Sequence, residues 1–112
     1  PEATGMAEGF SMENLILMLG GDFDLAGEVF DVFMEDTGAR LKNITGALHN
    51  YDFEFVVQEA SAIEGAAQNV YARDMAGLAR GLTDAAESRQ QEFGISLVEE
   101  MLEELEKIGA TV

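Results

Sequence analysis

Proline occurs once in this sequence, at position 1, so nothing downstream carries the residue that most strongly interrupts a helix. The rest of the chain keeps apolar residues three and four apart almost throughout. Ser11 reads as the N-cap of a short helix through LILML, closed by Gly20 and Gly21. Asp22 or Asp24 then opens a long helix whose inner stripe is Ala26, Val29, Phe30, Phe33, Thr37, Leu41, Ile44 and Leu48. That stripe stops at HNYD, where Asn50 and Asp52 mark a turn and a fresh cap. A third stripe follows on Phe53, Val56, Ala60, Ile63, Ala67 and Val70. After Tyr71 and a cap at Asp74 comes a fourth, on Met75, Leu78, Ala79, Leu82, Ala85 and Ala86, and then a fifth on Leu97, Val98, Met101, Leu102, Leu105 and Ile108. The spacing predicts five helices near 11–19, 23–49, 52–70, 74–90 and 92–109, and no strand.

Four long amphipathic helices on short connections pack as an antiparallel up-down bundle, so the expected class is all-α, with the short first helix covering one end. A chain of 112 residues is one domain, read here as a flexible segment 1–10 and a bundle 11–112. The aliphatic run LILML is too short to span a bilayer, there is no cysteine for a disulfide or thiolate metal site, and PEATGMAEGF lacks a signal-peptide pattern. A cytoplasmic location is the expectation. With 22 acidic against 6 basic residues, the net charge of −16 repels nucleic acid and anionic lipid and attracts a basic surface, although acidity also serves solubility alone.

The third helix has an odd outer side. At about 100° per residue, Glu54, Val57, Gln58, Ser61, Gly65 and Gln68 lie opposite its core stripe, and the stretch EASAIEGAAQNV is small where a solvated helix carries Lys or Glu. A glycine inside an exposed helix costs about 1 kcal/mol relative to alanine. Either something approaches closely at Gly65, or the glycine packs against the protein's own second helix.

In this region the chain resembles the histidine-containing phosphotransfer (HPt) domains of bacterial two-component relays. Their signature on the exposed side of the third helix is Ala-His-x-x-Lys-Gly-Ala-Ala, with an Asn a few residues on. The matching residues here are Ala60, Ser61, Ala62, Ile63, Glu64, Gly65, Ala66, Ala67 and Asn69. GGD at 20–22, EVFDVFMED, the Asp52 turn and LARGLTDAAE at 78–87 resemble the family's flanks, so the likeness covers about residues 10–108. It implies a helical bundle whose third-helix face, here Val57, Ser61, Ala62, Glu64, Gly65 and Gln68, docks a receiver domain or a histidine kinase.

The departures from the pattern bear on chemistry. In the family a histidine carries the phosphoryl group as a labile phosphoramidate, and Ser61 stands in its place. A serine hydroxyl needs a neighbouring base to attack and forms an ester too stable to hand on. Where the family has a lysine that balances phosphoryl charge, this chain has Glu64, which implies a site turned from attracting phosphate to repelling it. The one histidine, His49 in ALHNYD, falls about three helical turns before the family's position and reads as a helix C-terminal residue set against the macrodipole. Glu99 with Glu103 and Glu100 with Glu104 have metal-like spacing but no histidine partner and read as a solvated face, and the methionines read as core filler. No cofactor and no metal are expected. The expected function is a non-catalytic, HPt-like interaction module of a phosphorelay. The alternatives are a working phosphotransfer protein with another acceptor and a purely structural or oligomerising bundle.

Overall fold

The computed structural model describes residues 9–111. It is all-α: α1 (Met12–Met18), α2 (Phe23–His49), α3 (Phe53–Asn69), α4 (Arg73–Glu87) and α5 (Gln91–Ala110), with no strand among the described residues. Helix α2 packs on α3, α3 on α4, α4 on α5 and α5 back on α2, while the backbones of the diagonal pairs stay apart across a shared core. That closed ring is the up-down four-helix bundle expected from the stripes. Helix α1 packs on α2 and buries only Leu15, leaving Leu17 and Met18 exposed. Of the segment 1–10 expected to be flexible, residues 1–8 lie outside the described residues, and Phe10 lies against Phe30 with ring centroids 5.3 Å apart.

All four connections use one device. After each of α1 to α4 the chain turns through a residue of positive φ, and the next residue donates its N–H back five positions. Gly20 takes φ 77° and Gly21 N donates to Ile16 O; Tyr51 takes φ 59° and Asp52 N donates to Ala47 O. Tyr71 takes φ 62° with Ala72 N to Ala67 O, and Arg89 takes φ 58° with Gln90 N to Ala85 O. This is the Schellman motif, which satisfies carbonyls that a helix end leaves orphaned. The donating residue in the last three is also the N-cap of the next helix, so each bundle turn is only three residues long. The fourth helix is therefore capped at Ala72 and not at Asp74, and no side chain accepts there. By contrast Ser11, Asp22 and Asp52 do accept from the backbone N–H three residues on. Gln91 Nε2 donates to Leu48 O at 2.8 Å and ties the start of α5 to the last turn of α2.

The core runs along the bundle axis. Leu41, Ile44 and Leu48 from α2, Val56, Ala60, Ile63 and Ala67 from α3, Met75, Ala79 and Leu82 from α4, and Met101 and Ile108 from α5 are almost fully buried. Each large aliphatic side chain among them contributes about 1.5–3 kcal/mol by leaving water. Ala76 joins the core beside the expected stripe of α4, whereas Leu102 of α5 is exposed. Of the methionines, Met75 and Met101 are core residues, while Met18 is exposed. Thr37 is buried with no partner for its hydroxyl among the described residues, a setting that costs about 1–3 kcal/mol where the group stays unpaired.

One carboxylate is poorly placed. Burial raises the pKa of Glu104, repulsion from Asp74 adds to the shift, and Lys107 opposes it. A carboxyl whose folded-state pKa is raised favours folding when protonated; that contribution is full below the ordinary carboxylate pKa and is lost as pH rises through the raised value. Glu104→Gln is therefore expected to melt at a higher temperature than the parent at pH 7. The difference should shrink as the pH falls to about 4, where the parent carboxyl is itself largely neutral. Thermal melts at the two pH values check this, and a parent more stable than Glu104→Gln at pH 7 would contradict it.

Candidate functional site

The third helix presents its outer strip in mid-bundle because Val56, Ala60, Ile63 and Ala67 hold its opposite side in the core. Ser61, Gly65 and Gln68 are exposed, as are Glu54 and Gln58. A Cβ placed on Gly65 would meet nothing within 4 Å. Gly65 therefore does not serve packing against α2, and its missing side chain leaves open surface. Ala62 is half-buried on the side toward α2. Val57 is also half-buried and packs against the core, so it offers less apolar area to solvent than its wheel position implies.

Two arginines flank the strip, one on each side, and both are engaged in ion pairs. Toward α2, Arg40 reaches Glu59 Oε2 through Nη1 at 3.1 Å and Asp36 Oδ2 through Nε at 2.8 Å. The Asp36 hydrogen bond pushes the Arg40 guanidinium further toward its charged form against the effect of partial burial, and the charges of Asp36 and Glu59 act with the bond. Toward α4, Arg80 donates from Nε to Glu64 Oε2 at 3.0 Å, and its Nη2 lies 2.9 Å from the same oxygen in an ion pair. This pair places a guanidinium beside the Glu64 carboxylate, a partner the sequence reading of Glu64 did not include. The guanidinium comes from the next helix and offsets part of the Glu64 charge beside Ser61.

The Ser61 hydroxyl has no base positioned on it among the described residues, since the neighbouring carboxylates of Glu59 and Glu64 are engaged with Arg40 and Arg80. That is a poor setting for an attacking serine. His49 sits exposed at the last residue of α2, its Nδ1 2.8 Å from Thr45 O, at the bundle end and not on the α3 strip. Among the described residues no group of His, Asp and Glu side chains is arranged to hold a metal ion, and no helix is long and apolar enough to cross a membrane. On α4, Arg80 lines a pocket next to α3 together with Arg73 and Gly77, and none of the three stands out in the sequence as a site residue. The signal was there in the spacing of 73, 77 and 80, which sets three residues on one side of a helix, but which side faces α3 depends on how the two helices register.

No curated protein and no solved structure matches the chain. The family model of the Hpt domain matches residues 28–111, from the first turns of α2 to the end of α5, and so takes in the whole α3 strip and the flanking ion pairs. With the bundle, the helix order and that match in agreement, the chain belongs to the Hpt domain family, the helical modules of two-component phosphorelay.

Proposed function

We propose that this Hpt domain is a cytoplasmic interaction module that docks a receiver domain, or the histidine kinase that feeds one, through the strip of Val57, Ser61, Ala62, Glu64, Gly65 and Gln68 without carrying the phosphoryl group itself. The observation that supports it is Gly65: exposed in the middle of a 17-residue helix, with open space where its side chain would stand. A glycine there costs helix stability and contributes nothing to internal packing, which is what a surface kept short for close approach requires. Ser61 supplies the second half of the reading, because a hydroxyl with no base beside it is not a reversible phosphoryl carrier. The ion pairs at the borders give the strip a fixed pattern of charge, which discriminates among partners more than it adds affinity.

Binding of purified receiver domains from the source organism to the parent and to Gly65→Arg tests this. At least one receiver is expected to bind the parent, and the variant is expected to bind it roughly 10-fold or more weakly. Its melting temperature should be unchanged or higher, since arginine is the better helix former and the site faces water. In the same experiment, receivers charged with acetyl phosphate should leave the intact mass of the parent unchanged. Equal binding by Gly65→Arg would remove the docking role of the strip, and an acid-labile phosphate on the parent would remove the claim of inertness.

A further inference from the structure

Beside the α3 strip the structure contains a pocket of about 340 Å³ between α3 and α4, lined by Gln68, Tyr71, Arg73, Ala76, Gly77 and Arg80. We propose that it receives a carboxylate side chain of the protein that docks on α3. The carrier of that carboxylate rests on the docking reading above; the recognition of the anion does not.

The charge is out of keeping with the chain. Of only 6 basic residues in a protein of net charge −16, two line this one pocket. They stand seven residues apart on α4 with Gly77 between them, so all three lie on one side of the helix. A Cβ on Gly77 would meet nothing within 4 Å, and the glycine thus leaves a gap between the two arginines instead of relieving a clash. Tyr71, which lines the pocket, holds φ 62°, a conformation in which glycine is the usual residue. Gln68 belongs to both the strip and the pocket, which makes the two surfaces continuous.

Arg80 is held in position and still has donors to give. Glu64 accepts from its Nε and stands in ion-pair contact with its Nη2 through a single oxygen, whereas a guanidinium carries five N–H groups. The side chain remains largely exposed, at 67%. The pair also sets the selectivity. Arg73 and Arg80 less Glu64 leave a single net positive charge, which matches one carboxylate, and the −16 field opposes a phosphate dianion about twice as strongly as a monoanion. The planar fork of an arginine fits the two oxygens of a carboxylate.

The test uses the ¹⁵N-labelled chain alone, without any receiver, so that it can fail while docking stands and stand while docking fails. Acetate, inorganic phosphate and chloride are titrated at matched ionic strength, following the Arg73 and Arg80 Nε–Hε signals and the Gly77 amide. Acetate is expected to give saturable shifts at all three, with a dissociation constant on the order of tens of millimolar, as suits one charge-assisted pair. Gly77→Leu fills the gap and Arg80→Gln removes one fork, and each should abolish saturation while the other amides stay in place. Shifts that track chloride, phosphate binding more tightly than acetate, or undiminished acetate binding in either folded variant would overturn the proposal.

Discussion

Ser61→His combined with Glu64→Gln is expected to take up an acid-labile phosphate from receivers charged by acetyl phosphate, under conditions in which the parent takes up none. The position suits a histidine. Ser61 is exposed, and Gly65 one turn on leaves room for an imidazole and for the aspartyl phosphate that would have to reach it. The histidine supplies a nucleophile effective near neutral pH, which the unassisted hydroxyl is not. The second substitution is chosen from the structure. Lysine at 64 would restore the charge of the family's pattern but would face Arg80, which now pairs with Glu64 at 2.9 Å. Glutamine instead removes the carboxylate and releases Arg80 from the ion pair, so that the existing guanidinium can balance a phosphoryl group. Ser61→His alone should react more slowly, because Arg80 stays committed to Glu64. Accumulation measured by intact mass before and after acid treatment should separate the double variant from the parent by about 100-fold or more, the scale on which positioned nucleophiles and acid–base groups act. A double variant that binds receivers as the parent does and remains unphosphorylated would refute the view that only these groups are missing.

What could be read from the chain divides along a physical line. Helix α2 spans 23–49 as the spacing predicts, and the other bounds fall within a few residues, because an amphipathic stripe without proline has one way to bury itself. The exposure of Ser61, Gly65 and Gln68 followed from the same wheel. The cap at Asp74 failed for a different reason. Where α4 starts is decided by the Schellman turn that ends α3, whose closing N–H belongs to Ala72, and a tyrosine in the left-handed conformation gives no warning of it. Val57 lies at the edge of the strip, where a few degrees of rotation decide whether a branched side chain reaches the core. The Arg80–Glu64 pair and the pocket beside it were out of reach because they depend on the register of two helices, and a single-helix pattern contains no information on that.

Glycine shows the same limit most sharply, and it carries the largest stability effect expected here. Gly65 and Gly94 are both interior to helices and look alike in sequence, yet a Cβ at Gly94 would stand 3.0 Å from Leu48 Cδ2 and 3.6 Å from Leu82 Cδ1. Both leucines are fully buried, and Gly94 is the point at which α5 comes close enough to cover them. Gly94→Leu forces a whole side chain into that filled space, and overpacking of this kind costs about 3 kcal/mol. For a domain of this size the melting temperature should fall by about 12 °C or more, whereas Gly65→Arg and Gly77→Leu leave it level or raise it. A double-mutant cycle separates steric conflict from a general loss of helix quality. Leu48→Ala alone opens a cavity and costs about 2–5 kcal/mol, but in its presence the leucine at 94 has room, so the double variant should be more stable than either single one. If the two losses simply add, Gly94 is not held by contact with Leu48, and the close approach of α5 to α2 must have another cause.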